Sequence, residues 1–197
     1  MKTILISTLL LFSINSLANV AIIEQLRGQV FLGTAKLKEK ARIKQAGVLR
    51  SESGSFAKIH IPHMASTIVL GPNSKLELKL NKKNNQLTLT DGLARWISNN
   101  TKPSLKSKRS ISTESAVMGV RGTDFLLVAN TLLKETEIVM FEGQVDFKNR
   151  ADPSDARLLE KNQWGGLGGR FGGEIGKVLT LPPNIIEAFK GKIPKNL

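Results

Sequence analysis

An all-β single domain of short antiparallel strands, forming a sandwich, a roll or a solenoid-like arrangement, is what this 197-residue chain predicts. Three observations carry that expectation. Apolar and polar residues alternate at period two in several short runs, turn residues separate the runs at roughly 8–12-residue spacing, and no sustained 3.6-residue periodicity occurs before residue 180.

The elements follow in chain order. Ala57, Ile59 and Ile61 alternate with Lys58 and His60; Leu76, Leu78 and Leu80 alternate with Glu77 and Lys79. Leu87 and Leu89 alternate with Thr88 and Thr90, and Val145 and Phe147 flank Asp146. In a strand such alternation sends one set to the core and the other to water. Ser53-Gly54-Ser55, Gly71-Pro72-Asn73, Asn84-Asn85, Asp91-Gly92 and Glu142-Gly143 supply the turns. The β domain is expected over residues 19–148, followed by a polar, Gly-rich C-terminal extension over 149–197. Within that extension Arg157-Leu158-Leu159 reads as one more short strand. The stretch Trp164–Gly173 packs six glycines into ten residues, so residues 165–173 read as a mobile tether apart from any anchoring by Trp164 and Phe171. Truncation after Lys161 is therefore expected to leave a folded β domain with a modest loss of stability. Pro182-Pro183-Asn184 opens a short terminal helix from Ile185 to Lys190, closed by Gly191.

Residues 1–18 read as a signal peptide. Lys2 supplies the positive start, Ile4 to Ile14 the apolar run, and Ser16-Leu17-Ala18 the small-x-small cleavage site. The run is too short to span a bilayer, and no second one follows, so no transmembrane segment is expected in the mature chain. A periplasmic or secreted protein starting at Asn19 is the expectation. The chain contains no Cys, which excludes a disulfide scaffold, a thiolate metal site, a cysteine nucleophile and a lipoprotein anchor.

Formal charge is +13, and it is one-sided. Residues 1–109 hold 18 basic and 5 acidic side chains, whereas residues 110–197 hold 11 of each. Lys36, Lys38, Lys40, Arg42 and Lys44 form one basic cluster; Lys102, Lys106, Lys108 and Arg109 form a second. Such blocks serve as solvated faces or attract an anionic partner. Nucleic acid is not the expected partner, since the first cluster lacks the interleaved aromatics of a stacking platform.

Enzymatic signatures are missing. His60 and His63, the two histidines, are spaced so that a continuous strand would send them to opposite faces. No GxSxG elbow, GxGxxG or GxxxxGK[ST] motif occurs. Asp124 and Glu142 are the one carboxylate pair to consider for acid–base work, and nothing else marks them. The reading is a non-enzyme with no cofactor, no metal site and no catalytic residues.

One motif stands apart: Val120, Arg121, Gly122, Thr123, Asp124 and Phe125, inside an otherwise apolar strand. Glycine within a strand marks a bulge, a bend or a close backbone approach. A buried Arg121 would need carbonyls or an acid such as Asp124 or Glu142; an exposed Arg121 would face a ligand. Arg121→Ala destabilises the protein under the first alternative and spares stability under the second.

This string, after a Thr-x-x-Ala-Val lead (Thr113, Ala116, Val117), resembles the FecR domain family. Gly28-Gln29-Val30, Ala46 to Ser51 with Ser55 to Ile61, Leu70 to Leu78, and Thr136 to Val145 with its acid-Gly-x-Val ending extend the resemblance over residues 22–148. Where the family often has Asp-Gly-Ser, this chain has Met64-Ala65-Ser66. The resemblance implies an all-β periplasmic domain that acts by binding, in a family whose best-known members are membrane-spanning regulators of anti-sigma signalling. The expected function is an exported, non-enzymatic module for protein–protein interaction or signalling in the bacterial envelope. The alternative is a binder of an anionic envelope polymer, peptidoglycan or lipopolysaccharide, through the basic N-terminal half.

Overall fold

Alternation in the sequence becomes alternation in burial. Ala57, Ile59 and Ile61 are fully buried, while Lys58 and His60 between them are half-buried. The structure, a computed structural model, describes residues 20–80, 86–98 and 110–197, the side chain of Arg121 excepted. The leader expected over residues 1–18 lies outside the described residues.

The chain opens with β1 (Ala21–Arg27), β2 (Val30–Leu32), β3 (Ala35–Lys36), β4 (Arg42–Ile43) and β5 (Gly47–Ser51). Next come β6 (Phe56–Ile61), β7 (Ser66–Leu70), β8 (Lys75–Lys79) and the long β9 (Gln86–Ser98). β10 (Ser110–Ser112), β11 (Ala116–Asn130) and β12 (Glu135–Asn149) follow, then β13 (Ala156–Leu159), β14 (Gln163–Leu167), β15 (Leu179–Thr180) and the helix α1 (Pro183–Lys192).

All of the described strands join one sheet with barrel-like closure. Its main path runs β15-β14-β12-β11-β10-β9-β7-β6-β1-β4, and β8, β5, β2 and β3 branch from β9. β9 can serve two neighbourhoods because it is long. Its first half pairs with β8, while its second half lies between β7 and β11. Pairing is antiparallel throughout except for β10 against β9, which is parallel at Ser112 and Thr88.

The inner face encloses the main core, where Trp96, Phe125, Phe147, Ile59, Leu76 and Leu89 are each at most 1% exposed. Strands β7, β11 and β12 are apolar on both faces; in β7 Ile68 and Leu70 enter the inner core and Val69 the outer cluster. Phe125 and Leu127 of β11 enter the inner core, whereas Leu126 joins a second cluster on the outer face. Ile138 and Met140 against Val139 and Phe141 repeat this in β12. Continuous apolar runs of that kind belong to strands covered on both sides. The outer cover is the C-terminal segment, whose Ile186 and Ile193 pack on Phe56, Val69, Leu126 and Phe141.

That placement corrects the expectation of a mobile tether. Gly165 and Gly166 lie in β14, which pairs with Thr136–Val139 of β12. Both are buried, Leu167 is 2% exposed, and Phe171 packs edge-on against Trp164. The absence of side chains lets Phe147 and Leu159 reach Gly165 on one face and Phe171 reach Gly166 on the other. The glycines are there for packing. The strand expected at Arg157–Leu159 is β13, and the terminal helix is longer than expected, with Gly191 inside it. Between β12 and β13 the turn is held by Asp152, which accepts bonds from the Ser154 hydroxyl and amide; these keep its carboxyl below the usual range.

The Met64-Ala65-Ser66 departure has a conformational cost. A short 3-10 turn, Pro62–Met64, ends at Ala65 with φ 44° and ψ 43°, the left-handed region. An L-residue there costs on the order of 1 kcal/mol. Ala65→Gly is therefore expected to stabilise the protein by about 0.5 kcal/mol after the extra backbone entropy of Gly is offset. A thermal melt that fails to rise contradicts this.

Candidate functional site

The six-residue motif lies at a bulge between β11 and β12. Arg121 stands opposite Gln144 and Asp124 opposite Glu142, so Gly122 and Thr123 share the single partner Gly143. That two-against-one count is a β-bulge. Gly122 has φ 59° and Gly143 φ 77°, and a Cβ on Gly143 would collide with the Gly122 carbonyl. The acid-Gly-x-Val ending and the motif are thus two halves of one backbone device.

The bulge aims the side chains that follow it. Phe125 enters the inner core and stacks on Trp96, with ring centroids 6.4 Å apart. Val120 is partly buried against the same core. Thr123 is anchored through its amide, which donates to the Ser98 hydroxyl at 3.0 Å. Asp124 turns to the outer face, where it is 3% exposed.

There Asp124 meets Arg95 of β9, also 3% exposed. Arg95 Nε donates to Oδ1 at 2.7 Å and Nη2 to Oδ2 at 2.9 Å, a fork on one carboxylate. Its remaining Nη1 donates to the Ile193 carbonyl at 2.9 Å, and Lys195 Nζ lies 2.8 Å from Oδ2. The guanidinium also sits 4.8 Å from the Phe141 ring centre. A buried charge with each of its three guanidinium nitrogens bonded is a latch, and what it fastens is the C-terminal tail. The Leu197 backbone N–H adds a hydrogen bond, donated to Gln25 Oε1 at 3.2 Å.

This revises the expectation for the motif arginine. Asp124, offered as a partner of Arg121, is taken by Arg95 and Lys195, and Glu142 is exposed. The side chain of Arg121 lies outside the described residues. Arg95 was missed because no motif surrounds it; its sequence signal is a lone charge in the apolar run Leu93-Ala94-Arg95-Trp96-Ile97. Asp124 and Glu142 face each other across the bulge, yet the ion pairs lock the first.

Lys36, Lys38, Lys40, Arg42 and Lys44 are all exposed, and none ion-pairs with a described residue. An aromatic does approach this cluster, since Phe31 stands opposite both Lys36 and Arg50, with Arg50 4.9 Å over its ring. Lys102, Lys106, Lys108 and Arg109 lie outside the described residues. His60 is on β6 and His63 in the 3-10 turn, so they do not share a continuous strand. His60 Nδ1 is 3.3 Å from the Thr67 hydroxyl. Among the described residues no three of His, Cys, Asp or Glu converge as metal ligands, and no helix is long and apolar enough to cross a membrane.

Two crystal structures of a candidate anti-sigma factor from Parabacteroides distasonis ATCC 8503, at 2.50 and 1.65 Å resolution, share the fold. Their TM-scores are 0.58 and 0.57 at 14% identity, covering 73% and 72% of this chain. This chain spans 64% and 63% of the length of those proteins. No curated protein matches the sequence. The family described as FecR protein matches residues 47–146, which include the bulge, Arg95 and Asp124. With half of its length matched, this chain belongs to the FecR family.

Proposed function

We propose that the protein is an exported, non-enzymatic FecR module that works in envelope signalling by binding a protein partner. Family membership carries this reading, and the fold shared with a candidate anti-sigma factor supports it. The leader-like pattern of Lys2, Ile4–Ile14 and Ser16-Leu17-Ala18 supports export.

A sheet edge offers the means. Among the described residues β13 pairs only with β12, and its Leu158 is 57% exposed. An extended segment of a partner would add to this edge through main-chain bonds, with Leu158 as an apolar contact. The experiment uses the protein from Asn19, immobilised and exposed to envelope extract at low and high salt. The expected result is a protein retained at high salt and lost from the Leu158→Pro variant, which cannot donate to an added strand. Retention that Leu158→Pro leaves intact, or none at all, overturns the edge reading. Mass spectrometry of the native protein is expected to find Asn19 first; an intact Met1 or Lys2 overturns export.

A further inference from the structure

The hairpin joining β11 and β12, the two longest strands, ends in Thr131-Leu132-Leu133-Lys134. Leu132 is 91% exposed and Leu133 51%. A single exposed leucine is unremarkable; two adjacent ones on a protruding tip, with every other strand end nearby polar, call for a reason.

The register places cations beside them. Lys36 stands opposite Phe31, Phe31 opposite Arg50, Arg50 opposite Lys75, Lys75 opposite Asp91, and Asp91 opposite Asn130. Directly opposed residues share a face, so this is one row crossing from β3 to β11, about 24 Å at the usual strand spacing. The row ends at the leucine tip. The turns at the same end are bonded together, Glu52 amide to Gln29 carbonyl at 3.0 Å and Asn73 amide to Glu52 carbonyl at 3.3 Å. Arg27, Lys36, Lys38, Lys75 and Lys134 at this rim are exposed, and none ion-pairs with a described residue. Against them stand Glu39, Glu52 (already paired with Arg50), a half-buried Asp91 and, beside Lys134, the exposed Glu114 and the buried Glu135.

We propose that this rim docks on an anionic bilayer surface, with Leu132 and Leu133 among the headgroups and the cations on lipid phosphates. The choice of occupant follows from the combination. A soluble polyanion would engage the cations and leave the leucines in water. A protein pocket would take the leucines and leave a row of charges spread over about 24 Å unused. An anionic bilayer uses both, as interfacial anchors do.

The test is co-sedimentation of the protein from Asn19, which holds every described residue and lacks the apolar run Ile4–Ile14 that would itself bind lipid. Vesicles of phosphatidylcholine alone are compared with phosphatidylcholine plus phosphatidylglycerol. Binding is expected only to the second and weakens with salt. L132S/L133S lowers the partition at least about tenfold, and K36E/K38E/K75E at least about a hundredfold. Both variants are expected to keep the wild-type melting temperature, since every altered side chain is exposed. As a second measurement, L133W emission shifts to the blue on the anionic vesicles. Equal binding to both vesicles, no binding, an unshifted L133W, or binding to soluble polyphosphate with no effect of L132S/L133S on vesicle partition overturns the proposal.

Discussion

Replacing Asp124 by Ala is expected to lower stability by about 3–5 kcal/mol, because it strands the buried Arg95 guanidinium without its carboxylate. That is a large share of the roughly 5–15 kcal/mol that holds a domain together. Asp124→Asn should recover little, since it keeps the shape but not the charge. Arg95→Lys should also fail, because an ammonium cannot fork on a carboxylate and reach the Ile193 carbonyl together. Lys195→Ala is the control: its side chain is 47% exposed, so its loss is expected to cost below about 1 kcal/mol. Denaturant unfolding of the four variants checks the series. An Asp124→Ala loss below about 1 kcal/mol, the range of ordinary surface changes, would remove the latch from the argument.

Truncation after Lys161 is expected to abolish cooperative folding. The cut removes β14, β15 and α1, and with them the buried Leu167, Ile175, Ile186 and Ile193. At about 1.5–3 kcal/mol for each side chain, the loss is about 6–12 kcal/mol, comparable to the whole stability of a domain. It also bares Val69, Leu126 and Phe141 on the outer face. A truncated protein that melts cooperatively near the wild-type temperature would show that the segment is a dispensable cover.

How much of this could be read from the chain depends on how local the signal is. Strands such as Phe56–Ile61 and Lys75–Lys79 declare themselves, because one face is buried and the other is not. The bulge was legible in half: Gly122 marked a bulge, a bend or a close approach, whereas Glu142-Gly143, expected as a turn, lies inside β12 as the other side of the device, both glycines taking a left-handed backbone. The Arg95–Asp124 pair was not legible. Its members are 29 residues apart, and the carbonyl that completes the site is 98 residues from Arg95. No spacing rule reaches across a sheet register. The Gly-rich run misled for a related reason: composition describes the freedom of an isolated chain, whereas Phe147, Leu159 and Phe171 decide what Gly165 and Gly166 do. The fold class was thus available early, and the site's acid was named, but its true partner was supplied by tertiary structure.

The contact between Leu197 and Gln25 joins positions 172 residues apart, and the latch ties Ile193 to a strand near mid-chain. Synthesis runs from the other end. Until Ile186 and Ile193 have been made, Phe56, Val69, Leu126 and Phe141 lack most of their cover, however complete the strands behind them are. The growing chain therefore carries an open apolar face after its long strands are finished. Closure is set by long-range loop formation and is correspondingly slow. During that interval the chain is a client for a holding chaperone and is vulnerable to aggregation.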